Sequence, residues 1–250
     1  MFTIARYGWR PDVPDQRDHL YRAKPLVALP PSIDMRGMCP PVYDQGQLGS
    51  CTANAIAGAI EFNQIKQSLP EFTPSRLFIY FNERVIEHTI HSDAGASLRD
   101  GIKTIASTGV CDEKEWPYVI RKFAKRPIPV CYTLAKTDLV TGYTRLDNTQ
   151  LDQLKSCLAS GFCFVFGFTV YESFESQVVA SSGIVPLPAS QETVLGGHAC
   201  VAVGYDDATG RFTVRNSWGA SWGTAGYFTI PYQYLSSSTL AADFWQISSS

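Results

Sequence analysis

The sequence predicts an α+β protein of two lobes, a mostly helical half followed by an antiparallel β half. Three observations carry this expectation. Up to Gly161 apolar residues recur at helical spacing behind capping residues. Beyond it Phe162, Phe164, Phe166 and Phe168 alternate with a period of two, as along a strand. Two later apolar runs flank Asp206-Asp207-Ala208-Thr209-Gly210, which has the chemistry of a hairpin turn. At 250 residues, 45% hydrophobic and 18% charged, the chain can bury a core without metal or disulfide staples. A cleft between two such lobes is the expected place for a site.

Residues 1–28 form an extension. Pro11 and Pro14 alternate with Asp12, Asp15, Arg17 and Asp18, which disfavours a helix and favours an extended path. Tyr7, Trp9, Leu20 and Tyr21 are apolar anchors for a surface strap, either stabilising the fold or lying near a substrate groove. The body is expected over 29–250. Its helical lobe covers about 40–140 plus the C-terminal tail, and its β lobe about 141–235 plus a strand at 29–38.

The first helix starts at Cys51. Ala53, Ala55, Ile56, Ala59, Ile60, Phe62 and Ile65 make it apolar almost all round, the mark of a buried central helix. Thr73 followed by Pro74 reads as an N-cap with proline at the first helical position, opening a second helix to about Arg84. Ser97-Leu98-Arg99-Asp100 has capping-box spacing and opens a third, which stops at Gly109. Thr149-Gln150-Leu151-Asp152 does the same for a fourth, with Leu151, Leu154 and Leu158 on one face. Strands are expected at 162–168, 184–185, 198–205, 211–216 and 226–230, where Pro231 ends the last. The serines at 236–238 and 248–250 read as loop and tail.

Composition excludes several function classes. A net charge of −2 offers no basic surplus for nucleic acid or an anionic membrane. The longest apolar run, 162–168, is far too short to span a bilayer. The first residues lack the apolar core of a secretory signal. Seven cysteines, an odd count without C-x-x-C spacing, make structural zinc unexpected and leave at least one thiol unpaired. These features favour a reducing compartment, either the cytoplasm or a destination reached without a classical signal peptide. His88 and His91, near Glu87 and Asp93, sit in a polar loop and read as incidental, so no metal or cofactor is expected.

The chemistry centres on Asp44-Gln45-Gly46-Gln47-Leu48-Gly49-Ser50-Cys51-Thr52-Ala53. A turn-prone segment running into a helix sets a thiol at the helix N-terminus, where free N–H groups and the helix dipole favour thiolate. An ordinary thiol titrates near ~8.5, so a nucleophile at neutral pH needs a cation beside it. Of the four histidines, His198 is the candidate: it opens a strand directly after Gly196-Gly197, where bare backbone permits close approach. Asn216 ends the facing strand of the hairpin, where its carboxamide can bond one ring nitrogen of His198 and set the tautomer. Trp218 can lie over that bond and exclude water.

Gln45…Gly49-Ser50-Cys51, then Gly197-His198-Ala199, then Arg215-Asn216-Ser217-Trp218-Gly219 with Trp222-Gly223 and Gly226-Tyr227 resembles the papain family of cysteine peptidases, in chain order and over essentially residues 29–250. The interval from Cys51 to His198, roughly 150 residues, suits it. The resemblance implies a papain-like two-lobe fold and an endopeptidase acting on polypeptides, as a monomer and without a cofactor. It implies Cys51 as nucleophile, His198 as its imidazolium partner and later acid, and Asn216 as the residue that orients His198. Gln45, six positions before Cys51, would form the oxyanion hole with the Cys51 backbone N–H. Gly49, Gly95, Gly197 and Trp218 would line the substrate groove, Gly95 by main-chain pairing. Three departures stand out. Thr52 replaces an aromatic after the nucleophile. Leu48 replaces a cysteine, so the usual disulfide there cannot form. Gly197 replaces the Asp or Asn before the histidine. Residues 1–28 are too few for the family's long helical prosegment and are expected to cover the cleft in part. The same machinery could serve an acyltransferase or isopeptidase, and the same fold a catalytically silent binding module.

Overall fold

The computed structural model describes residues 7–22, 28–137 and 142–248. Parts of the extension (1–6 and 23–27), the expected lobe junction at 138–141 and the last two serines lie outside the described residues. The helical side holds α1 (Cys51–Gln67), α2 (Arg76–Ile86), α3 (Leu98–Ser107) and α4 (Pro129–Ala135). α1 is buried on all sides from Cys51 to Gln64, because its Ala and Ile positions let α2 and α3 pack on it while the sheet covers the rest.

The other side is a seven-stranded antiparallel sheet. It comprises β1 (Ser32–Asp34), β2 (Gly142–Leu146), β3 (Phe164–Tyr171), β4 (Val194–Asp206), β5 (Arg211–Arg215), β6 (Tyr227–Pro231) and β7 (Ala241–Ser248). The order is β2-β7-β3-β4-β5-β6, with β1 paired to β4. Helices α5 (Leu151–Ala159), α6 (Gln177–Ser182) and α7 (Tyr232–Leu235) lie between strands. The core is aromatic: Phe166 stacks on Phe244 at 5.3 Å, and Phe168 meets Phe174 and Phe228 edge-on or tilted.

Several expectations are corrected. The C-terminal tail, expected with the helical lobe, forms strand β7 between β2 and β3 and from there packs against α1 and α3, where Asn63 donates to the Ile247 carbonyl at 2.9 Å. Its Phe244, Trp245 and Ile247 are buried, and both of its partners lie far away in sequence. The cap of α2 is Ser75, whose Oγ accepts the Phe78 N–H at 3.2 Å. Thr73 cannot serve, because the Pro74–Asp112 bridge holds that segment extended ahead of the helix. Thr149 does not cap α5; its hydroxyl donates to Asp147. On β3 the alternation of phenylalanines does not mark one wet face. Phe164 through Phe168 are all buried, as in a strand covered on both sides.

The extension runs as a strap over both lobes. Trp9 pairs with Ala96 as a parallel bridge and Leu20 with Arg145.

Candidate active site

Cys51 is the first residue of α1 and is 0% exposed. Backbone N–H groups of Ala199 across the lobe boundary, of Gly8 in the strap and of Thr52 face its sulfur and favour the thiolate. The thiol therefore sits against the strand segment that carries His198. His198 lies on β4 opposite Phe168. Its Nε2 is 2.8 Å from Asn216 Oδ1, and that oxygen also accepts the Ser217 N–H at 2.8 Å. A carbonyl oxygen can only accept, so Nε2 carries the proton in the neutral ring and Nδ1 is the free base. Nδ1 is buried and has no hydrogen-bond partner among the described residues.

Trp218 stacks on His198 with ring centroids 4.8 Å apart and planes at 30°. It is 5% exposed and also meets Tyr7 of the strap, ring centroids 6.2 Å apart, so it shields the imidazole. The Cys200 thiol, one strand position beyond Ala199, also donates to Asn216 Oδ1 at 3.7 Å. No local sequence signal marks Cys200, and only the register of β4 brings it to Asn216.

Gln45 is buried and spans the two lobes. Its Oε1 accepts the Ser217 hydroxyl at 2.6 Å, its backbone N–H donates to the Ser217 carbonyl at 2.9 Å, and one Nε2 hydrogen goes to the Leu48 carbonyl at 2.9 Å. The second Nε2 hydrogen remains for another acceptor. Tyr118 donates to the Gln45 carbonyl at 2.9 Å and shares a hydrogen bond with Ser50 Oγ at 2.6 Å, which ties the segment before α1 to the helical lobe.

The strap occupies the groove. Gly8 lies so close to Gly49 that a Cβ on it would fall 1.8 Å from the Gly49 carbonyl oxygen. The Gly49 N–H is turned to Asp93 at 3.1 Å. Gly95, with φ at +69°, lets the Gly8 carbonyl pass, and the pairing itself falls on Ala96: its N–H donates to Gly8 O at 2.7 Å and its carbonyl accepts from Arg10 N at 3.1 Å. The Gly197 carbonyl accepts the Trp9 N–H at 3.0 Å. Trp9 packs against Gly167 and Gly197, where any side chain would collide with it, and its indole donates Nε1–H to Asp243 Oδ2 at 3.1 Å. Tyr7 packs edge-on to His198 at 6.2 Å and hydrogen-bonds Glu175.

Charged groups pin this strap. Asp12 donates its N–H to Asp243 at 2.7 Å and accepts Arg99 N–H at 3.1 Å and Trp245 Nε1–H at 3.0 Å. Asp18 pairs with Arg99 at 2.6 Å and with Arg145 at 2.8 Å. Sequence reasoning singled out Trp9 and Tyr7 as anchors but missed Asp12, Asp18 and Asp243, whose partners lie far along the chain.

Burial sets the electrostatics. It pushes the Cys51 thiol up to about 12 against the lowering effect of its N–H donors. It pushes His198 down to about 4, opposed by the Asn216 bond. Under the strap both groups are neutral, so the ion pair that makes a nucleophile is not formed. All seven cysteines are free thiols, and Cys111 and Cys131 touch without being bridged. Among the described residues no cluster of His, Cys, Asp and Glu could hold a metal ion.

Comparison with known proteins agrees with this geometry. A family profile described as papain family cysteine protease matches residues 29–243. A peptidase C1-like protein of Acanthamoeba polyphaga mimivirus is 46% identical over 238 residues, covering 92% of this chain and 74% of that protein. A probable cysteine protease of Arabidopsis thaliana is 33% identical over 217 residues, covering 81% of this chain but only 44% of its own length. The crystal structure of xylellain, a cysteine protease from Xylella fastidiosa, superposes with a TM-score of 0.90 at 46% identity, covering 99% of this chain and 97% of that one.

Proposed function

Because the chain belongs to the papain family of cysteine proteases, we propose that it is an endopeptidase that hydrolyses polypeptides through a thioester on Cys51. The observation that carries this reading is the meeting of Cys51 with the His198–Ala199 segment, with Asn216 holding Nε2 and leaving Nδ1 free. When the groove is open to water, desolvation falls and the proton moves from sulfur to Nδ1. The thiolate attacks the scissile carbonyl carbon. The oxyanion is received by the Cys51 backbone N–H and the second Nε2 hydrogen of Gln45. The Nδ1 proton passes to the leaving amine, and the acyl group stays on sulfur. Water, deprotonated by Nδ1, then attacks the thioester and returns the thiol.

The strap is read as the closed state of this site. It covers the thiol, fills the groove with Trp9 and keeps the two reacting groups neutral. Its Gly8 carbonyl accepts the Ala96 N–H.

The test is reaction of Cys51 with iodoacetamide at neutral pH, located by peptide mapping, together with hydrolysis of a peptide library by the full chain and by a chain lacking residues 1–28. The expectation is slow labelling of the full chain, fast labelling and peptide hydrolysis after removal of the strap, and neither in Cys51→Ala. Equal kinetics with and without the strap, at equal stability, would refute the closed-state reading. If Cys51 in the opened chain reacts no faster than a free model thiol, the enzyme reading fails. An added amine nucleophile separates hydrolysis from acyl transfer by its product.

A further inference from the structure

Next to the thiol, where α1 meets α2 and α3, the fold buries a carboxyl group that the proposed chemistry does not use. Glu83 of α2 is 0% exposed. Its Oε1 accepts the hydroxyl of Thr52, the residue directly after Cys51, at 2.8 Å. Its Oε2 has no hydrogen-bond partner among the described residues. Gly101 of α3 leaves the room that this oxygen takes, since a Cβ there would lie 2.6 Å from it.

Among the described residues no cation pairs with this carboxyl, although the charges of Arg84 and Arg10 favour its ionised form. Arg84, the next residue, sends its guanidinium to the carbonyls of Tyr80, Ile90, Ser92 and Phe123. Arg10 of the strap pairs with Glu87. Asp100 of α3 adds a like charge in the neighbourhood. An ionised Glu83 would therefore be a buried and unpaired charge, the costliest state for a carboxyl.

We propose that Glu83 is a positioning residue for Cys51: the Thr52 hydroxyl seats its carboxyl beside the start of α1, burial keeps that carboxyl neutral, and its ionisation disfavours the thiolate. This rests on Cys51 being the nucleophile. The N-terminus of α1 favours a negative sulfur only while no other negative charge stands there. With Glu83 neutral, the proton can leave sulfur for His198. With Glu83 ionised, its charge opposes a negative sulfur and shifts the pair toward neutral thiol and imidazole. Burial pushes the Glu83 carboxyl up to about 8, while the Thr52 hydroxyl pulls it down; its charge in turn raises the Cys51 thiol. The change in ion-pair content therefore falls on the alkaline side of neutrality. The same contact gives a role to Thr52, the residue directly after Cys51.

The experiment measures the rate of Cys51 alkylation by iodoacetamide against pH in the full chain carrying Trp9→Ala, which loosens the strap, with peptide mapping to identify the thiol. The expected profile is a plateau from the ion pair, then a decline of about threefold to tenfold as Glu83 ionises, on the scale of a unit or less of thiol acidity. Glu83→Gln, which keeps the shape without the charge, removes the decline. Thr52→Val, which deletes the donor, moves the decline to higher pH because Glu83 then ionises later. A residue that only packed would change the rate equally at every pH. The proposal is overturned if the opened parent shows no decline, or if both variants keep the parent's profile. Labelling that persists unchanged in Cys51→Ala would sink the nucleophile assignment instead, a separate outcome.

Discussion

At Cys51 and His198 the quantity that matters is which protonation state the pair occupies. The two groups have been moved in opposite directions by the same cause, removal of water, the thiol to about 12 and the imidazole to about 4. Asn216 does not reverse this; it sets the tautomer so that Nδ1 is the atom able to take the proton. Gln45 can be tested without touching that pair. Its carboxamide is fixed by Ser217 and Leu48 with one hydrogen left over, so Gln45→Ala should lower kcat by about 10²–10³, as removal of one oxyanion donor does elsewhere. The rate of Cys51 alkylation should change little, since alkylation develops no oxyanion. A variant whose alkylation falls as far as its kcat would point to a displaced thiol instead of a lost donor.

The strap is the element whose energetics decide whether the site is closed. Trp9 is its main apolar anchor, laid on two glycines and closed by a hydrogen bond to Asp243. Truncating a buried tryptophan costs about 3–5 kcal/mol, so Trp9→Ala should shift the closed–open balance enough to speed Cys51 alkylation by at least about 100-fold, read by timed labelling at fixed pH. Ion pairs add a second hold. Arg99 bonds Asp18 through its guanidinium and Asp12 through its backbone. Arg99→Ala leaves Asp18 with Arg145 as its one cation among the described residues, and strap protection should fall, seen as faster cutting of residues 7–22 by an added protease in a Cys51→Ala background.

The strap also carries a pH dependence of definite sign. Burial first, then the nearby Asp12 charge, pushes the Asp243 carboxyl up to about 7 in the closed state, although Arg145 and the Trp9 and Asp12 N–H groups oppose this. Asp12 is raised as well, chiefly by burial. Once the strap leaves, both carboxyls return toward the ordinary carboxylate range. A group whose closed-state value is the higher one stabilises closure fully below its open-state value, and that stabilisation is lost as pH rises through the higher value. Closure should therefore weaken as pH rises toward and past about 7. Tryptophan fluorescence of the Cys51→Ala chain would follow it, and Asp243→Asn should flatten the curve. A strap that opens on acidification would contradict the assignment.

Over the whole molecule, the sheet links the ends of the chain. β7 pairs with β2 on one side and β3 on the other, and its Phe244 and Trp245 are core side chains. Removing residues 241–250 should abolish cooperative thermal unfolding, measured by circular dichroism, because it opens the sheet between two strands and strips the Phe166 stack. Little of that was legible beforehand. Asp243, Phe244 and Trp245 carry no alternation, and a strand buried on both faces has no polar period to announce it.

Where the relevant forces are local, the sequence was sufficient. The all-round small apolar surface of α1, the thiol at its first residue, the glycines before His198 and the hairpin that returns Asn216 to it are all short-range consequences of residue type, and they determined the fold class and the catalytic candidates. Where the partner of a residue lies elsewhere in the chain, only the tertiary structure could decide. Glu83 beneath Thr52, Cys200 behind Asn216, and Asp12, Asp18 and Asp243 between strap and body have no local pattern. A buried charge or a filled groove is a property of packing, set by which distant surfaces exclude water together.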